Sequence, residues 1–258
     1  MHRLAVVAVF LVAVSAVAQN PPPTSDPQAI SLAQQSVAAL TGGVAVNDIT
    51  LNGNAISTWG SDNESGTAML EAKGTAESRV DLNLSGGTRS DVRNITSGVP
   101  AGAWNQDGGS ATAYAQHNCW IDAAWFFPAL SSLAQTANPN FIFKYIGQEQ
   151  HVGISVQHIR VFQIASYDSG TLQRLSTTNF YLDVNTNLPL AIGARVHADN
   201  DMNTDLSTEV RFANYQPVNG IQVPFRIQKL LNGVVVLDVT ITTAAYNTGL
   251  PDSVFSLQ

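Results

Sequence analysis

The residues able to do chemistry are few, and their spacing suits no familiar reaction. Beyond the N-terminal segment the histidines are His117, His151, His158 and His197. No two lie three or four apart on a helical pattern, the spacing that aims paired imidazoles at one metal. His117-Asn118-Cys119 offers two ligands, and nothing local supplies the third that zinc needs. Gly153-Ile-Ser155-Val-Gln157 approaches a nucleophile elbow, but it lacks the final glycine and lies in a strand pattern. Glu64, Glu71, Glu77, Glu149 and Glu209 fall on strand or turn positions, and nothing singles out the pair that glycoside hydrolysis requires. Phosphate-binding glycine loops, His-Glu-x-x-His pairs and paired cysteines do not occur. Asp199, Asp201, Asn203 and Asp205 alternate like the start of a calcium loop. Thr204 stands at that loop's glycine position and Val210 at its closing glutamate, so a polar connection between strands explains the same residues. We assign no catalytic residue, no metal and no cofactor, and expect a protein that is not an enzyme.

Apolar surface is what the chain has in quantity. Of 258 residues, 45% are hydrophobic and 12% charged, which excludes a disordered chain. The net charge is −7 and no Lys/Arg cluster occurs, so no nucleic-acid partner is expected. Met1-His-Arg-Leu, an uncharged run from Ala5 to Ala18 and the ending Ala16-Val17-Ala18 predict a signal peptide over 1–18. That run is shorter than the roughly 20 residues of a membrane span. The most apolar later stretch, Cys119 to Leu133, is short and carries Asp122 and Pro128, so no integral span is expected. Gln19 stands where a lipid-anchored protein would carry cysteine, so export predicts a soluble periplasmic or secreted protein. The single cysteine, Cys119, can form no intramolecular disulfide, and its apolar neighbours predict a buried thiol.

These residues must be positioned by a mostly β architecture. A Pro-rich leader over 19–25 precedes Asp26-Pro27, a helix-opening pair, and the helix runs to Thr41-Gly42-Gly43 with Ile30, Ala33, Val37 and Leu40 on one stripe. From Asp48 the period is two. Strands are predicted at 48–59, 65–73, 77–84, 88–95 and 99–106, and again at 141–147, 153–165, 173–184, 188–197, 207–215, 221–231 and 234–246. Asn219-Gly220 and Asn232-Gly233 predict tight hairpins. Residues 117–136 read as a helix apolar on every side, kinked at Pro128, which must be buried or must cover apolar surface. We expect one α+β, mostly β domain over 26–258. It is a single curved antiparallel sheet, an incomplete β-barrel of about ten to eleven strands, with helices over its concave side.

Only one face of such a sheet can be wet, so the other must be covered. Complete filling gives a plain core; loose covering gives an apolar pocket under a lid. For a pocket, Trp120, Trp125, Phe126 and Phe127 would form the lid, and Val80, Leu82, Phe212, Val223 and Phe225 would line the cavity. An envelope structural or interaction module without a cavity fits the same patterning, and a secreted hydrolase would need distant residues to converge.

Two stretches carry a resemblance. Phe180-Tyr-Leu-Asp183-Val-Asn-Thr-Asn-Leu188-Pro-Leu190 is similar to the "strand, D-x-x-T-x-L-P-L, strand" hairpin of outer-membrane lipoprotein-sorting proteins. So is Val210-Arg-Phe212-Ala-Asn-Tyr215-Gln-Pro-Val-Asn219-Gly220-Ile-Gln-Val-Pro224-Phe. The chain thus resembles the LolA/LolB-like superfamily, in particular its uncharacterised secreted members. The resemblance implies an incomplete barrel of about eleven strands with a helical lid over an apolar cavity. It implies carriage of a hydrophobic ligand, lipid or acylated lipoprotein. It also implies a buried arginine on an early strand that helps hold the lid, for which Arg79, Arg89 and Arg93 are the candidates.

Overall fold

The computed structural model describes residues 23–165 and 169–257. The expected signal peptide and residues 19–22 of the leader lie outside the described residues. Helix α1 (Pro27–Thr41) starts with proline where a missing N–H costs nothing, and ends at Gly42, whose φ of 60° suits glycine. Ala29, Ala33, Ser36 and Leu40 form its buried stripe, flanked by partly buried Ile30 and Val37. Asp26 makes no capping bond. Its carboxylate instead accepts the Tyr145 N–H and the Lys144 ammonium, both at 3.1 Å, and its own N–H donates to the Phe143 carbonyl at 2.8 Å. The helix start is therefore tied to a strand.

The first six strands are β1 (Asp48–Trp59), β2 (Asp62–Lys73), β3 (Glu77–Leu84), β4 (Gly87–Thr96), β5 (Val99–Gln106) and the short β6 (Thr112–Ala113). The second run is β7 (Phe141–His151), β8 (Ile154–Gln163), β9 (Thr178–Asp183), β10 (Pro189–Ala198), β11 (Asp201–Val218), β12 (Ile221–Leu231) and β13 (Val234–Tyr246). Each run is an antiparallel meander, and β1 pairs with β13 to join them. The result is one open antiparallel sheet of thirteen strands, against the ten to eleven expected. Its edges are β6 and β7, which are successive in sequence, so the segment between them must travel from one edge to the other. Asn219-Gly220 and Asn232-Gly233 both take positive φ at each residue, as tight hairpins require. On the concave side of β1 and β2, a Cβ at Gly53 would lie 2.3 Å from the Thr240 carbonyl oxygen, and one at Gly66 would lie 1.9 Å from that of Asn83. Only glycine permits this close approach of neighbouring backbones.

Two expectations are corrected. Residues 173–184 are not one strand but α2 (Ser169–Ser176) followed by β9. Leu172-Gln-Arg-Leu175 are good helix formers, and Ser176 closes the turn by donating to the Leu172 carbonyl and accepting the Gln163 N–H. Residues 117–136 are not an α-helix. They contain three short 3-10 turns, Gln116–Cys119, Pro128–Leu130 and Ser132–Ala134. Local side-chain bonds replace the helical ladder here. Ser131 Oγ accepts the Leu133 N–H and donates to the Pro128 carbonyl, and the Asp122 carboxylate takes both the N–H and the hydroxyl of Ser132. Burial pushes the Asp122 pKa up against these bonds.

Candidate functional site

Along β1, inward Ile49, Leu51, Ala55 and Ser57 alternate with exposed Asn52, Asn54 and Ile56, and the pattern carries across the sheet by register. The concave face so formed is not treated evenly. Around α1, Phe126, Phe127, Leu130 and Leu133 of the mid-chain segment fill it, packed with Leu40, Ile49, Leu51, Leu70, Phe143, Ile159 and Phe180. Phe212 and Val223 belong to this packed region too, and Phe225 is partly buried against it.

Toward the other end of the same face, where β1 finishes and β13 begins, a cavity of about 600 Å³ remains. Its apolar wall comes from Trp59, Val80, Leu82, Trp104, Trp125, Val196, Leu230, Leu231, Val236 and Leu237. Trp59 is 58% exposed and Trp104 39%, so the cavity meets solvent at this end. Of the nine residues expected at a ligand site, Val80, Leu82 and Trp125 line this space. Trp120 lines a separate cleft of about 180 Å³ on the far side of the lid. Three of the four tryptophans thus border this cavity.

Of the charged side chains that β4 and β12 bring here, Arg89 and Arg93 were candidates for the lid-holding arginine, and Asp91 and Lys229 were not foreseen. Inward positions of β4 pair with inward positions of β3 and β5, so Arg89, Asp91 and Arg93 must face the concave side with Val80, Leu82 and Trp104. Arg89 donates to Glu64 at 2.6 Å and to Ser57 Oγ at 3.2 Å. Asp91 accepts the Tyr114 hydroxyl and lies 3.7 Å from Arg93 Nε. Burial, then the neighbouring Asp91 charge, pushes the Tyr114 hydroxyl pKa up. Lys229 on β12 completes the set; its ammonium sits 4.6 Å from the centroid of the Trp125 ring. The signal for these residues lay in the alternation itself, since Arg89, Asp91 and Arg93 are two apart on a strand.

The mid-chain segment is fastened over the concavity at several points. Arg93 Nη1 donates to the Asn118 carbonyl at 2.8 Å, and its guanidinium lies 4.2 Å from the Tyr114 ring centroid. The Asn118 side chain donates to the His197 carbonyl at 2.8 Å and accepts the His197 N–H at 2.9 Å, gripping the end of β10 as a neighbouring strand would. Gln163 of β8 donates to the Trp120 carbonyl. Of the three candidate arginines, Arg93 touches the lid; Arg89 holds Glu64, and Arg79 pairs with Asp81 and donates to the Val254 carbonyl in the C-terminal tail. Cys119 is buried in this segment, and its burial raises the thiol pKa.

The other chemical candidates have structural occupations. Asp199-Asn200 is the two-residue turn of the β10–β11 hairpin. Asp201 holds the Asn203 N–H and Thr204 hydroxyl, and both Asp205 oxygens are taken by Arg174 and Arg195. A cation bound by this stretch would have to displace two guanidiniums. Burial raises the Asp205 pKa, but the His197 hydrogen bond and the two arginines outweigh it and hold the carboxyl low. Asp183 accepts the N–H groups of Asn185 and Thr186, so that part of the hairpin motif is turn chemistry. The histidines make structural ring contacts. His117 and His197 meet edge-to-face, and His151 and His158 both lie against Tyr181 on the convex side. Among the described residues, no cluster of three or more metal-ligating side chains occurs, and no helix is long and apolar enough to cross a membrane. Ser155 Oγ accepts from the Gln148 amide.

An open, lidded half-barrel with an apolar cavity is the class this geometry defines. The sequence matches no protein-family model and no curated protein. Its shape matches solved structures. A putative outer-membrane lipoprotein-sorting protein domain from Vibrio parahaemolyticus superposes with a TM-score of 0.57 at 12% identity, covering 88% of this chain and 96% of that one. A DUF1329 family protein from Desulfovibrio piger gives 0.56 at 11% identity, over 90% and 98%. A LolA superfamily protein from Nitrosomonas europaea gives 0.53 at 12% identity, over 88% and 97%. The chain has the LolA-like fold.

Proposed function

We propose that the protein is an exported, soluble binding or carrier protein for a hydrophobic ligand, a lipid or an acylated protein, held between the sheet and its mid-chain lid. One observation carries this reading: a cavity of about 600 Å³ with mostly apolar walls stays open beside the buried hydrophobic core. That volume lies within the roughly 300–1,000 Å³ common for small-molecule sites. Each methylene buried there would contribute about 0.8 kcal/mol. Val80, Leu82 and Trp125 are the contact residues, with Phe126 and Phe127 anchoring Trp125 from the core. The shape shared with a lipoprotein-sorting domain supports the same reading. Native mass spectrometry of detergent-free exported protein tests it. A lipid mass released on denaturation is expected. Empty protein that also fails to take up a fluorescent fatty acid would leave an envelope structural module as the better account.

A further inference from the structure

We propose that the cavity selects an amphiphile with an anionic headgroup, carboxylate or phosphate, and that Lys229 takes the anion. This rests on the carrier reading above and specifies its ligand class. The argument is a census of charge. Three cations border the cavity or lie directly beneath it. Arg89 is engaged by Glu64, and Arg93 by Asp91 and the Asn118 carbonyl. Asp91 in turn holds the Tyr114 hydroxyl as well as Arg93. Lys229 has neither hydrogen bond nor ion pair among the described residues; its ammonium lies over the face of Trp125. Two arginines against Glu64 and Asp91 cancel, and the lysine leaves one positive charge facing apolar walls.

An unpaired ammonium in such a place is costly, and an apolar residue would pack there at no penalty. Burial also pulls the Lys229 pKa down, and nearby Arg93 adds to that while Asp91 opposes it. A bound anion removes the cost. Lys229 borders both this cavity and the small space beneath Ile121 and Ala123, so it sits at the inner end. The headgroup would rest there, with the chain running past Leu82 and Leu237 toward Trp59.

The test uses the delipidated full chain, titrated at pH 7 with oleate, with a lysophosphatidic acid of the same chain, and with oleyl alcohol. Wild type should prefer at least one acid over the alcohol by about tenfold, the scale of one charge-assisted hydrogen bond. The two acids tell carboxylate from phosphate. Lys229→Met should erase the preference of the acids over the alcohol, whatever its effect on overall affinity, and Lys229→Arg should keep it. Equal binding of acids and alcohol by wild type, or an unchanged preference in Lys229→Met, overturns the assignment while the carrier reading stands. Failure to bind any of the three overturns both. Should Lys229→Met fold poorly, wild type at rising pH replaces it: the preference should fade as the lysine discharges, and a preference constant up to pH 11 counts against the assignment.

Discussion

The two ends of one concave face share strands β1, β3 and β10 to β13 and the same alternation, yet one is solid and the other hollow. At the solid end the inward residues are mostly apolar, and α1 with Phe126, Phe127, Leu130 and Leu133 packs on them. At the hollow end the inward residues include Arg89, Asp91 and Lys229, and only Trp125 comes down from the lid. Apolar side chains can interdigitate to the density of a crystal. Charged ones need room, partners and solvent-like surroundings, so an end that carries three of them resists being filled. The cavity is thus a consequence of where charge was placed, as much as of what the lid fails to cover.

The sharpest way to break this contrast is to remove bulk from the solid end. Phe127→Ala should cost about 3–5 kcal/mol in urea unfolding, because the site is fully buried and cannot collapse. A loss below about 1 kcal/mol would mean that this end is loosely packed too. Next in size is Arg93→Met, which deletes the tie from β4 to the Asn118 carbonyl and leaves Asp91 without its cation. We expect a loss of about 1.5–3 kcal/mol with faster uptake of a fluorescent fatty acid; an unchanged uptake rate would separate the lid from access.

Asp48, at the start of β1 and so at the solid end, gives a pH test. Burial raises its pKa, but N–H bonds from Thr248 and Gly249 at 2.7 and 2.9 Å outweigh that and hold it low. A lowered carboxyl stabilises the fold above its unfolded value, near 3.9, and that contribution disappears as pH falls through the folded value. Asp48→Asn should therefore cost about 1–2 kcal/mol at pH 7 and less at pH 3, read from unfolding at both pH values. Equal costs at the two would refute the role. The smallest stability effect belongs to the hollow end. Leu82→Trp adds volume into space already empty, so unfolding should shift by less than about 1 kcal/mol while fatty-acid uptake drops. A large destabilisation would show that the cavity has no room.

Much of the framework could be read from alternation and turn residues. β1, β3, β5, β12 and β13 run over the residues anticipated for them, and the Asn-Gly hairpins fall where positive φ was needed. Local rules failed where tertiary bonds decide. The apolar pattern of 117–136 suits a helix, but Asp122 and Ser131 redirect its backbone, and that competition is invisible without knowing that Asp122 reaches Ser132 across ten residues. The site was legible in part, since Val80 and Leu82 alternate visibly and Trp125 stood in an aromatic run. Lys229 was missed although it continues the inward parity of Val223, Phe225 and Ile227 on the same strand, and its pairing with Val210 and Leu237 agrees with that parity.

The double grip of Asn118 on His197, taken with the bond from Arg93, has a mechanical consequence. The sheet is a C-shaped spring whose edges, β6 and β7, are never stitched together, and one short strut spans from β4 to β10 across its throat. The length of that strut sets how far the C can gape, so whatever loosens Asn118 would widen the hollow from a distance and leave every wall residue in place.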